Sequence, residues 1–182
     1  PLKPRTEYHV SGWKPRVWLI VWCVIGVVLR VFVMLAAPDQ LSQDRDLYLG
    51  IAQELRIGHG YATPGSEPPR PTAFRPPLYP LLLATTGDNP GLIGGMHLLL
   101  AAGMIAAVGL ASYQMARGHR LWFLGPAIVS VDPLLLLYCR QPMTETLCAC
   151  LSAVLIWRVT RAEQATSPWK TTCGEGVVWG LC

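Results

Sequence analysis

The chain has 182 residues, 52% of them hydrophobic and 14% charged, with a mean hydropathy of +0.35; an ordinary soluble domain carries about 25% charged residues, so too few are present here to cover a water-facing surface. The net charge of +4 comes from 15 Lys and Arg against 11 Asp and Glu, and no basic stripe is interleaved with aromatics, which argues against nucleic acid as a partner. Six cysteines, Cys23, Cys139, Cys148, Cys150, Cys173 and Cys182, form no zinc spacing and no C-x-x-C redox pair; they read as small apolar residues within apolar segments, and no metal or cofactor is expected.

Residues 1–16, with Lys3, Arg5, Lys14 and Arg16, precede an apolar run at 17–37 that is interrupted only by Arg30. The run is long enough to cross about 30 Å of hydrocarbon, and its basic flank places the amino terminus in the cytoplasm. It exceeds the apolar core of a signal peptide, about 7–15 residues, and no clear small-residue cleavage site follows it. Arg30 is expected to snorkel toward the far interface in preference to facing other helices.

Residues 38–90 follow on the outer side, a connection far longer than the usual few residues and therefore expected to be functional or folded in its own right. Within it Leu47, Tyr48, Ile51, Ala52 and Leu55 recur at helical spacing, with Ser42 as N-cap and Gly58 as stop. This predicts an amphipathic helix of about four turns lying along the membrane surface. The turn at Gly58, His59, Gly60 and Tyr61 leads into a proline-rich stretch, 64–80, which cannot be helical throughout.

A second span is predicted at 91–116, followed by Arg117, His119 and Arg120. A third, 121–139, contains Pro126 and the pair Asp132-Pro133, interruptions that a span tolerates when they are buried against neighbouring helices. A fourth runs over 143–159 and is followed by Arg158, Arg161 and Lys170. Residues 169–182 are expected to start a fifth span, truncated by the carboxyl end. The basic clusters fall on one side at every crossing. The predicted fold is an all-α polytopic membrane protein with four to five transmembrane helices and a long outer loop containing an amphipathic surface helix.

Three features of this sequence can carry chemistry. Asp44 and Asp46 fall in the first turn of the predicted surface helix, where the helix dipole alone favours carboxylates; the alternative is a general base at the membrane surface. Glu145 opens the fourth span, where it can cap the helix or face a wet vestibule. The run Arg75-Pro76-Pro77-Leu78-Tyr79-Pro80 is either a polyproline connector or a rigid element that holds a guanidinium near the membrane.

Four strings occur in order at consistent depths: Asp44-Arg45-Asp46-Leu47-Tyr48-Leu49-Gly50-Ile51-Ala52, then Gly58-His59-Gly60-Tyr61, then the Arg75 to Pro80 run, then Pro142-Met143-Thr144-Glu145-Thr146-Leu147. Together they resemble the amino-terminal third of bacterial C-type membrane glycosyltransferases, relatives of protein mannosyltransferases and of the aminoarabinose transferases that modify lipid A. The resemblance implies transfer of a sugar from a polyprenyl-phosphate donor to a hydroxyl of a lipid, glycan or protein acceptor, at the outer face of the bacterial inner membrane. It further implies a catalytic acid followed by three residues and an aromatic, which Asp44 and Tyr48 match. Asp44 is then the base, Asp46 its substitute and Glu145 a third catalytic candidate, with Arg75, Arg140, Tyr48 and His59 binding substrate. Some relatives carry an acid near position 75 as part of a metal site; Arg75 stands here, and no metal is expected. Whole members have about a dozen spans, so the chain corresponds to a portion of one. The competing expectation is a non-catalytic truncated relative that keeps the loop as a sugar-lipid or partner-binding surface. A small transporter ranks third, because polar residues do not recur at mid-membrane depth.

Overall fold

The computed structural model describes residues 15–116 and 119–162, with Gly176 and Gly180 beyond them. Nearly all of the amino terminus, expected in the cytoplasm, and of the fifth span expected at 169–182 therefore lies outside the described residues. Among those described, 73% are helical and none forms a strand. The α-helices are α1 (Pro15–Leu35), α2 (Tyr48–Arg56), α3 (Leu78–Thr86), α4 (Pro90–Met115), α5 (Leu124–Val131), α6 (Pro133–Tyr138) and α7 (Glu145–Ala162).

Helices α1 and α4 are long and apolar enough to cross a membrane, at 21 and 26 residues. At 1.5 Å per residue they extend about 31 and 39 Å. On α1, Val17, Ile20, Val24, Val28, Phe32 and Leu35 are exposed, whereas Gly26, Arg30 and Met34 are buried at intervals of one helical turn. That stripe faces α4 and α5. Gly26 keeps this contact close, because a Cβ would displace the end of the Ile105 side chain and stand 3.1 Å from Ser130 Oγ. Helix α4 is the centre of the fold and packs on α1, α5 and α7. Asn89 caps it by accepting from the Gly91 and Leu92 amides at 2.9 and 3.3 Å, with Pro90 in its first turn.

The span predicted at 121–139 is broken. A 3-10 turn (Arg120–Phe123) leads into α5, which stops at Asp132, and α6 starts afresh at Pro133. Proline supplies no amide to continue the ladder, and the Asp132 carboxylate caps α6 by accepting from the Leu135 amide at 2.9 Å. The last carbonyls of α5 are thus left without helical partners. Arg30 takes them. Its Nη2 donates to Val129 O at 3.1 Å, and its Nη1 donates to Ser130 O at 3.3 Å and to Gly26 O at 3.0 Å. Arg30 is wholly buried, so the expectation that it snorkels is corrected: freed carbonyls at a helix carboxyl end attract a cation inward.

The segment expected as the long loop folds over the Pro90 end of α4 and the Glu145 end of α7. A 3-10 turn (Pro38–Ser42), α2 and α3 share a buried cluster of Leu41, Tyr48, Ala52, Tyr79 and Leu83 with Ile93 of α4 and Leu147 of α7. Residues between α2 and α3 turn back on themselves, Thr63 and Thr72 amides donating to Arg70 and Tyr61 carbonyls at 2.9 and 3.0 Å. The predicted surface helix is shorter than expected. Ser42 does not cap it, and Asp44 and Asp46 precede its first turn. Leu47 makes the corner with φ +65°, and Gly58, at φ +87°, follows the helix where the stop is expected. The proline-rich stretch is helical only from Leu78, where α3 begins, since prolines at 76, 77 and 80 sit before or within the first turn, where a missing amide is harmless.

Candidate functional site

Asp44 lies in the corner before α2 and reaches forward to the helix start. Its Oδ1 accepts from the Leu49 amide at 3.0 Å and its Oδ2 from the Gly50 amide at 2.7 Å. The function of an N-cap is thus supplied from several residues upstream, which is why Leu47 can occupy the cap position in the left-handed region without a side-chain bond. Each carboxylate oxygen has two lone pairs, so one amide apiece leaves room for an incoming hydroxyl. An open cavity of about 280 Å³ lies against Asp44, with Ser42, Gln53 and Asp88 on its polar side and Leu41, Leu49 and Ile93 on its apolar side. A Cβ at Gly50 would strike the Pro64 ring at 2.6 Å and crowd Asp44 Oδ2 at 3.2 Å.

Asp46 has a different partner. Arg75 Nη2 donates to its Oδ1 at 2.6 Å, and Arg75 Nε donates to its backbone carbonyl at 3.0 Å. The guanidinium also stacks over the rings of Tyr48, at 5.1 Å, and Phe74, at 4.5 Å. The Tyr61 hydroxyl donates to Arg75 O at 2.7 Å, which fixes the run from the backbone side. Tyr48 shares a hydrogen bond of 3.2 Å with the Thr144 hydroxyl and meets Tyr79 edge to face at 5.2 Å. Residues from all four strings singled out in the sequence thus meet around one aromatic pair.

Tyr79 is fully buried and bonded to His97 Nε2 at 2.7 Å, while His97 Nδ1 lies 2.7 Å from Cys139 O. A carbonyl only accepts, so Nδ1 carries the proton. The neutral ring that complete burial demands then presents Nε2 as an acceptor, and Tyr79 is the donor. Burial, followed by the charges of Glu145, Tyr48 and Asp44, pushes the Tyr79 phenol well above its ordinary value.

Glu145 opens α7, and its Oε2 is buried without a hydrogen-bond partner, as are Arg140 Nε and Thr146 Oγ1. His59 goes elsewhere: its Nδ1 pairs with Glu54 Oε2 at 2.7 Å, and Glu54 Oε1 accepts from the Gly65 amide at 3.2 Å. His59 first, then that amide, hold the Glu54 carboxyl below its ordinary value. Among the described residues no three His, Cys, Asp or Glu side chains converge as metal ligands. Sequence reasoning missed His97 and Glu54, and gave no role to Tyr79 and Thr144 within the strings it singled out. Of these, His97 had a legible signal, a lone ionisable residue in an apolar span.

Comparison with protein-family models, curated proteins and solved structures returns no match. The reading of the site therefore rests on its own geometry: a carboxylate beside a cavity, a guanidinium stacked on aromatics, and buried polar atoms of both signs at the start of α7.

Proposed function

We propose that the chain contributes the amino-terminal part of an inverting C-type membrane glycosyltransferase. Four to five spans, with the α2–α3 segment on the outer face of the bacterial inner membrane, are the topology that this reading carries. The observation that supports it best is the convergence of the four strings: Asp46 on Arg75, Tyr61 on Arg75, Tyr48 on Thr144, and Tyr48 against Tyr79. They are separated by up to 96 positions along the chain and meet at the loop end of α4 and α7.

In this reading the acceptor hydroxyl enters the cavity beside Asp44. Its oxygen attacks the anomeric carbon of a polyprenyl-phosphate-linked sugar, and its proton passes to the Asp44 carboxylate. The bond from the anomeric carbon to the phosphate oxygen breaks, its electron pair leaves with the polyprenyl phosphate, and the anomeric centre inverts. Phosphate is a good leaving group, so a cation can replace the general acid that a hydrolase uses. Arg140, whose Nε has no partner, is better placed to spend a hydrogen bond on it than Arg75, which already holds Asp46.

One observation favours a second reading, a non-catalytic surface that binds a sugar-lipid or a partner: the Asp44 and Asp46 carboxylates are both bonded within the protein. Membranes containing the full-length protein, supplied with a panel of radiolabelled polyprenyl-phosphate hexoses and pentoses, separate the two. Under the transferase reading Asp44→Asn lowers transfer by about a hundredfold or more, the usual loss for a general base, and Asp46→Asn lowers it much less. The opposite ranking moves the base to Asp46. Indifference to both substitutions supports the binding surface.

A further inference from the structure

Helices α1, α4 and α7 share an end opposite the α2–α3 layer, and aromatic rings tie it together. Trp18, in the first turn of α1, stacks on Phe123 of the 3-10 turn with centroids 6.4 Å apart, and the neighbouring Trp122 meets Tyr113 of α4 edge to face at 5.6 Å. The Thr160 hydroxyl of α7 is bonded to Gln114 Oε1 at 2.8 Å, and Arg161 lies over the Trp157 ring at 5.9 Å.

Charge at this level has one sign. Among the described residues its charged side chains are Arg16, Arg120, Arg158 and Arg161, and none of them is in an ion pair. The described acids lie elsewhere, within residues 38–90, at the α5–α6 break or at the start of α7. These arginines flank separate helices, and only the packing of α4 on α1, on the 3-10 turn and on α7 makes them one patch. Depth follows from the rings. Indole and phenol groups settle at the headgroup level of a bilayer. From Trp18 the exposed apolar row of α1 continues to Leu35, about 26 Å at the helical rise, close to the thickness of a hydrocarbon core.

We infer that this end is a docking surface for anionic phospholipid headgroups, with Arg16, Arg120, Arg158 and Arg161 as their counter-charges. Charge complementarity selects that occupant. Unpaired cations held at headgroup depth face lipid phosphates at a far higher local concentration than any soluble anion, and the planar fork of a guanidinium matches phosphate oxygens. Arg158 and Arg161, three positions apart on α7, are neighbours on its surface and can engage one headgroup together. The inference rests on the spanning topology of the preceding reading and not on sugar transfer.

The test uses the full-length protein in phosphatidylcholine bilayers, with spin-labelled phosphatidylglycerol and spin-labelled phosphatidylcholine as tracers. The motionally restricted part of each spectrum reports which lipid the protein retains. Phosphatidylglycerol should be preferred by about two- to fivefold, up to the worth of one basic side chain near an anionic lipid surface. Added salt should erode the preference, since screening shortens the range of charge to about 3 Å at 1 M. Arg158→Gln/Arg161→Gln should remove about half of it. Arg158→Lys/Arg161→Lys should keep it, which separates charge from packing on Trp157. Arg70→Gln takes an exposed cation from the opposite layer and should leave the preference unchanged.

Equal retention of the two lipids overturns the inference. So does a preference that the glutamine pair leaves intact, or that Arg70→Gln lowers as much. If the glutamine pair does not fold, the parent decides alone, because a preference indifferent to salt is not electrostatic. A preference abolished by inorganic phosphate, but not by chloride at the same ionic strength, marks a discrete phosphate pocket and likewise overturns the surface. Failure to restrict either tracer removes the spanning topology and this inference with it, whereas absence of sugar transfer beside an intact lipid preference counts against the transferase reading alone.

Discussion

Asp44 and Asp46, two positions apart, differ in what holds them: backbone amides in one case, a guanidinium stacked on aromatics in the other. Asp44→Ala removes both bonds at the start of α2 and is expected to lower stability by about 1 kcal/mol, the usual worth of a cap. Faster amide exchange at Leu49 and Gly50 should accompany it, and unchanged exchange at both would show that another group orders the corner. Glu54 gives a pH prediction. Its carboxyl is held below the ordinary 4.5 by His59 and the Gly65 amide. A depressed folded value means that its contribution is complete above the unfolded value and is lost as pH falls through the lower, folded one. The melting difference between the protein and Glu54→Gln should therefore be complete above the ordinary carboxylate range and shrink as pH falls below it, through the depressed folded value. A difference that persists in acid would mean that the carboxylate is not the stabilising species. The acids and Arg75 were legible as candidates from residue type and spacing. Which nitrogen of His97 faces Tyr79 was not, because a carbonyl 42 positions away decides it.

At the scale of elements, the break between α5 and α6 and the burial of Arg30 form one feature. The guanidinium bridges two carbonyls that the break at Asp132-Pro133 leaves without helical partners, Val129 O because Pro133 has no amide and Ser130 O because α5 ends at Val131. Arg30→Met keeps the bulk and removes the donors, and is expected to cost about 2–4 kcal/mol for the two orphaned acceptors, read as a fall in the unfolding midpoint in detergent. Arg30→Lys should recover only part of this loss, since an ammonium lacks the planar fork that spans both oxygens. Equal stability of all three forms would show that water or lipid satisfies the break. Gly26→Val drives a side chain against Ile105 and toward Arg30, with an expected loss of about 1–3 kcal/mol from overpacking. The Asp132-Pro133 pair announced an interruption in the sequence. That a cation from α1 would satisfy it was not legible, because an isolated arginine in an apolar run reads equally well as a snorkelling side chain.

For the whole molecule, the expected topology places the α2–α3 segment outside and the connection between α4 and α5 inside. Glu67 and His119 are both exposed. In a form without native cysteines, an impermeant maleimide added to intact cells should label Glu67→Cys and spare His119→Cys, and the reverse pattern would overturn the topology together with the proposed site. The exposed apolar rows of α1, α5 and α6, which include Ile20, Phe32, Ile128 and Leu134, suit lipid or further helices in the same way.

Composition and the 17–37 and 91–116 runs were sufficient to place α1 and α4 within two residues at either end, since a span is defined by a local, continuous property: enough apolar length for its solvent. The same holds for the helical character of the described residues. What depended on distant partners only the tertiary structure decided. The start of α2 was displaced by a carboxylate reaching past Leu47, the run expected as a third span was divided at Asp132, Arg30 was drawn inward by carbonyls about a hundred positions away, and Tyr79 was paired with His97. Each outcome is set by which groups packing brings within about 3 Å of one another, a property that the local sequence does not carry.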